Sequence, residues 1–196
     1  MQFHNLAETL LGSKVKIKVL RTLWKYKEKE FTIRELAKFL GISHTGIKKV
    51  LDELEKTNVV KLRTLGKSHA FKLNADSYTA KIVEDVFDKE AKALSELQEV
   101  LEKGLTSSWV TSAALFGSVA KAEETPLSDI DLLIVTENRK KAEEAIAQLQ
   151  KDVSEKFGNP ISAYYVSEED LKNKRKDSPI KQVLQDHLLI CGQPLR

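Results

Sequence analysis

Residues 128–135 read Ser128-Asp129-Ile130-Asp131-Leu132-Leu133-Ile134-Val135, two aspartates set in an otherwise apolar run. A run this short and apolar, opened by polar residues, predicts a strand over 129–136. Positions i and i+2 of a strand face the same way, so Asp129 and Asp131 share one side of it. An ionised carboxylate buried without a partner is costly. Two of them on one face call for a compensating cation. The plainer alternative is that Asp129 turns the chain into the strand while Asp131 is ion-paired.

Just upstream lies Leu115-Phe116-Gly117-Ser118-Val119-Ala120. A strand over 110–116 followed by a short helix over 118–124 puts Gly117 and Ser118 at the turn between them. Glycine lets backbone approach a ligand closely. Ser118 offers a hydroxyl at a helix start, where anions are favoured. Lys121 adds a positive charge one turn on. Further along, the pattern predicts an amphipathic helix over 139–157 and a strand over 161–166. A capping-box start at Ser167 and a last helix over 179–188 precede an apolar stretch around Leu189-Ile190-Cys191. This is a mixed sheet with helices.

The Gly-Ser pair followed by Ser-Asp-x-Asp between apolar strands resembles the minimal nucleotidyltransferases of the DNA polymerase beta superfamily, over residues 105–196. The resemblance implies that Asp129 and Asp131 are catalytic carboxylates holding Mg²⁺. It also implies that Gly117, Ser118 and Lys121 contact the phosphates of a nucleoside triphosphate. Magnesium suits this role because it takes oxygen ligands and bridges carboxylates to phosphates. The chain departs from the family pattern twice. Lys121-Ala122 stands where relatives often have Arg-Gly. The third carboxylate expected on the later strand is missing from Pro160-Ile161-Ser162-Ala163-Tyr164-Tyr165-Val166, with Ser162 or Ala163 at its place.

The N-terminal part reads differently. Residues 13–27 form an amphipathic helix capped by Ser13. Thr32-Ile33-Arg34-Glu35 is a capping box opening a helix over 32–40, which Gly41 stops. Ser43 caps a third helix reaching about Thr57, with Ile47, Val50, Leu51 and Leu54 on the buried side. Two strand-like runs, 59–63 and 70–73, follow, joined by a basic loop over 64–69. Three helices and a β-hairpin in this order resemble a winged helix-turn-helix. The resemblance implies double-stranded DNA as a partner, with Ser43, His44, Thr45, Lys48 and Lys49 at the major groove. It sets Lys67 and His69 of the wing along the backbone, and Arg34 and Lys38 against phosphates. A trihelical protein-interaction module is the alternative.

Charge separates the two parts. Residues 1–75 carry 16 Lys and Arg against 7 Asp and Glu, a net +9. Residues 76–196 carry 16 against 22, a net −6, so the overall +3 conceals an asymmetry. A basic half suits a polyanion through counterion release. The single cysteine, Cys191, excludes an internal disulfide and a multi-cysteine zinc site. With no long apolar run, no secretory signal and no disulfide, a cytoplasmic protein that does not engage a membrane is expected.

The expected fold is thus α+β in two domains: a winged helix-turn-helix over 1–75 and a nucleotidyltransferase-like domain over 105–196. A helical connector over 76–104 joins them, ended by Gly104 and carrying an apolar stripe suited to homodimerisation. The expected function is a DNA-binding transcriptional regulator whose second domain binds nucleotide and Mg²⁺. The alternatives are an active nucleotidyltransferase acting on a protein, small-molecule or RNA hydroxyl, and an antitoxin-like module with a helical partner protein.

Overall fold

Among the described residues, sixteen elements alternate in a pattern that changes character midway along the sequence. The structure, a computed structural model, describes residues 5–65, 68–173 and 178–195. Two compact units share them, residues 1–92 and 93–196, and the division falls inside one long helix.

The first unit opens with α1 (Leu6–Leu11) and α2 (Lys14–Lys25). A two-residue strand β1 (Phe31–Thr32) leads into α3 (Ile33–Leu40). The capping box forms: Thr32 Oγ1 accepts from the Glu35 amide at 3.2 Å, and the Thr32 amide donates to Glu35 Oε2 at 2.7 Å. Gly41 ends α3 at φ 64°, in the left-handed region glycine tolerates. Ser43 caps α4 (His44–Lys56) by accepting from the Gly46 amide at 3.2 Å. Strands β2 (Val60–Leu65) and β3 (Ser68–Leu73) pair antiparallel, and β1 adds to the far side of β3. The hairpin is therefore longer than the sequence suggests, because Thr64 and His69 pair across it instead of lying in a loop. Leu20, Leu23, Leu36, Ile47, Leu51, Leu54 and Phe71 fill the core between helices and sheet.

Helix α5 (Tyr78–Leu105) is continuous. Gly104 does not end it. A side chain at that position would overlap Leu149, so Gly104 permits the close approach of α5 to α7 (Arg139–Phe157). The second unit holds a four-stranded sheet in the order β6-β5-β4-β7. Its strands are β4 (Ser112–Phe116), β5 (Ile130–Val135), β6 (Ile161–Val166) and β7 (Leu188–Gly192). β4 runs antiparallel to β5 and β7, while β5 and β6 are parallel, which makes the sheet mixed. One face packs Ile130, Leu132 and Ile134 against Leu97 and Leu101 of α5 and Ile146 and Leu149 of α7. The other packs Ala114, Leu133 and Val135 against α8 (Glu168–Asn173) and α9 (Ser178–Gln185) through Leu171, Ile180 and Val183. The fold is α+β with two sheets, as the sequence predicts. Among the described residues, no helix is long and apolar enough to cross a membrane.

Candidate functional site

Strand β4 delivers the chain to Gly117, and β5 receives it back at Ile130, so the two strand ends lie side by side. Between them runs the four-residue helix α6 (Gly117–Ala120), shorter than the 118–124 expected. Phe116 is the register partner of Asp131, which sets Gly117 directly over the Asp131 side chain. Gly117 sits at φ 70°, and a Cβ there would run into the Asp131 carboxylate. Only glycine satisfies both conditions. Asp129 is exposed just ahead of β5, and Asp131 is half-buried. Burial pushes the Asp131 carboxyl above the ordinary aspartate range, and the neighbouring Asp129 charge pushes it further. Neither carboxylate has a cationic partner among the described residues, so the ion-paired alternative for Asp131 is not the arrangement seen.

Ser118 is half-buried at the start of α6, and its carbonyl accepts from the Glu123 amide at 2.9 Å. Lys121 follows as the C-cap, exposed, with Nζ 4.0 Å from Asp186 Oδ2. Asp186 lies just before β7, and Leu188 of that strand pairs with Leu115, so Asp186 reaches the same end of the sheet as Asp131. No sequence pattern singled it out, because β7 itself was not foreseen as a strand. The return loop is firmly held. The Ser128 amide donates to the Thr125 carbonyl at 3.0 Å, and Asn159 Nδ2 donates to the Ser128 carbonyl at 2.8 Å.

In the first unit, the buried side of α4 carries Ile47, Val50, Leu51 and Leu54. Ser43, His44, Thr45, Lys48 and Lys49 are exposed at its start or on its outer side. Ser43 is occupied as the helix cap and lies 3.3 Å from the Thr45 hydroxyl. Arg34 and Lys38 are exposed on α3, and His69 on β3. Lys67 lies outside the described residues. The cations of the hairpin strands are mostly committed: Lys61 to Asp76 at 3.0 Å, Arg63 to Glu30 at 3.1 Å and Lys72 to Glu28 at 2.8 Å. No ion pair is formed by Arg34, Lys38 or Lys48 among the described residues. Among the described residues, the uncommitted lysines and arginines therefore lie on the helices and not on the hairpin strands.

The sequence profile of the nucleotidyltransferase domain matches residues 91–190, which cover α5's second half, β4, β5, β6, the first residues of β7 and the Gly117/Asp131 corner. The chain belongs to the nucleotidyltransferase domain family. Comparison with curated proteins gave no match. Among solved structures, NolR from Sinorhizobium fredii is 22% identical with a TM-score of 0.35, covering 42% of this chain and 82% of that one. A toxin-antitoxin crystal structure with AMP-PNP is 19% identical with a TM-score of 0.33, covering 49% of this chain and 73% of that one. Both likenesses are weak.

Within this nucleotidyltransferase domain the two departures from the family pattern acquire a geometry. Ala122 adopts φ 56°, a left-handed conformation that costs an L-residue with a Cβ roughly 1–2 kcal/mol. A glycine there would be unstrained. On β6, Ser162 is the register partner of Asp131 and shares its face of the sheet. Ala163 points to the opposite face, toward α7. Among the described residues, no three His, Cys, Asp or Glu side chains are grouped closely enough to hold a metal.

Proposed function

We propose that this protein is a DNA-binding regulator in which a winged helix-turn-helix is joined to a nucleotidyltransferase domain that binds a nucleoside triphosphate with Mg²⁺ and transfers little or nothing. The observation that carries the nucleotide half is the Asp131 carboxylate, half-buried beside Asp129 with no cation among the described residues. Such a pair suits a divalent ion whose remaining ligands are phosphate oxygens and water. When bound, Mg²⁺ would neutralise the carboxylates and the phosphates together.

The chain's own groups have separable tasks in this reading. Asp129 and Asp131 would hold the ion at the start of β5. Gly117 leaves room for backbone and phosphate to meet, and the Ser118 hydroxyl donates to a phosphate oxygen. Lys121 leaves Asp186 and turns to the phosphates. Ser162 stands where a carboxylate would take the proton of an attacking hydroxyl. A serine hydroxyl is a poor base at neutral pH, so the acceptor stays unactivated and the nucleotide stays intact. Binding without turnover is the behaviour of a sensor.

The DNA half rests on α4, whose exposed residues Ser43, His44, Thr45, Lys48 and Lys49 form a polar side opposite its apolar one. That division suits a recognition helix, with Arg34 and Lys38 set to meet phosphates. Two copies reading a two-fold operator follow from this reading, and a dimeric mass in solution checks it.

Two measurements test the proposal. ATP with Mg²⁺ should bind the full chain, and Asp129→Asn/Asp131→Asn should abolish the Mg²⁺-dependent part. Pyrophosphate release should not exceed that of the double variant. Release well above it would replace the sensor with an active transferase. Separately, affinity for duplex DNA should fall steeply with salt, and flat salt dependence would remove the regulator reading.

A further inference from the structure

A groove of about 460 Å³ lies in the second unit, on the side of the sheet away from Asp131. Leu94 and Leu97 of α5 form one bank, and Val119, Ala122 and Phe157 another. Ile130, the residue between the two aspartates, forms part of the floor. Its side chain belongs to the α5/α7 face of the sheet, whereas Asp131 faces the other way. The groove and the carboxylates are therefore back to back, separated by the thickness of one strand. Thr125 and Pro126 of the return loop complete the wall, and Asn159 fixes that loop through the Pro126 and Ser128 carbonyls.

The polar chemistry of the groove has one sign. Among the described residues lining it, Glu124 is the only charged one. Its carboxylate has no cationic partner among the described residues, and the nearby Lys156 is committed to Glu96 at 3.0 Å. Asn159 already spends its amide donor on the loop carbonyls, which leaves its oxygen as an acceptor. Apolar banks, an unpaired carboxylate and an acceptor oxygen complement a molecule with an apolar body and a protonated nitrogen. The volume is that of an ordinary small-ligand site.

We propose that this groove is an effector site for a small organic cation with an apolar body, an amine or amidine. Its occupant would touch Val119 on α6 and Ile130 between the aspartates, so it would press on both elements that carry the nucleotide chemistry. Occupancy of the groove stands independently of the nucleotide reading. The effect on nucleotide affinity rests on that reading.

The test uses the full chain and three probes of one shape: 4-phenylbutylamine, 4-phenylbutanol and 4-phenylbutanoate, followed by calorimetry or ligand-observed NMR. The amine should bind about three- to fivefold more tightly than the alcohol, as an exposed ion pair allows, and the acid most weakly. Glu124→Gln should remove the preference for the amine over the alcohol. Ala93→Trp, on the exposed rim of α5, should block all three probes without disturbing the helix. No binding by any probe, or amine binding that survives both variants unchanged, overturns the site. In the second arm, saturating amine should change the affinity for Mg²⁺-ATP by about fivefold or more. Unchanged nucleotide affinity overturns the effector role. If ATP does not bind at all, the nucleotide reading fails while the amine result still decides the groove.

Discussion

Helix α4 and strand β5 each set polar residues beside buried apolar ones, yet the polar groups cost very different amounts. Lys48 and Lys49 are exposed at a helix surface, where water solvates them and their presence demands no explanation. Asp131 is half-buried, pushed toward its protonated form, and set under a glycine that no other residue can replace. A costly charge constrains interpretation more than a cheap one. The β2–β3 hairpin makes the same point, since three of its cations are held by acidic neighbours and contribute less free charge than a count of lysines and arginines suggests.

Several substitutions can break or sharpen this contrast. Gly117→Ala forces a Cβ into a left-handed backbone and against the Asp131 carboxylate. It should destabilise the second unit by about 2–4 kcal/mol in urea unfolding, combining left-handed strain with overpacking. A loss of only about 1 kcal/mol, what left-handed strain alone would bring, would mean that Asp131 is free to move aside, and the contrast would collapse. On the helix side, Lys48→Gln/Lys49→Gln should lower duplex affinity and reduce the slope of log affinity against log salt by about two, while unfolding stays unchanged. Ala122→Gly should relieve left-handed strain and stabilise by about 0.5–1 kcal/mol. A destabilised variant would show that Ala122 earns its place by packing.

The smallest effect is on pH dependence. The folded state holds the Asp131 proton more tightly than the unfolded chain does. As pH rises from the ordinary aspartate range through the raised value, the unfolded state binds fewer protons, so stability falls across that window and the cost persists above it. Asp131→Asn should therefore raise the melting temperature at pH 7 and give no such gain at a pH below the ordinary aspartate range. Mg²⁺ should narrow the neutral-pH gap by stabilising the wild type. Equal melting curves at both pH values would sink this assignment.

Much of the architecture was legible because the signals were local. The Thr32–Glu35 capping box, the Gly41 stop, the Ser43 cap and the helix over 139–157 all depend on residues within one or two turns. Asp131 lies on β5 as the apolar run predicts, whereas Asp129 stands just ahead of the strand instead of within it. What escaped depends on distant partners. β1 has two residues and exists because β3 pairs with it. β7 exists because Leu188 and Leu189 find β4 across a long stretch of chain. Gly104 looked like a helix end because glycine commonly is one, and only the approach of Leu149 gives it a different purpose. That Ser162 and not Ala163 pairs with Asp131 needed the register of β6 on β5, which periodicity does not supply.

The fit of Gly117 over Asp131 also sets an order on the changes this corner can accept. Any side chain at 117 meets the carboxylate first, so substitution there is barred while Asp131 remains. Shortening residue 131 removes the collision but leaves the left-handed backbone, so the barrier at 117 drops in part and not in full. Mutations at the two positions are therefore contingent on sequence. A lineage abandoning the site would lose Asp131 before Gly117, and Gly117 would outlast the function it served.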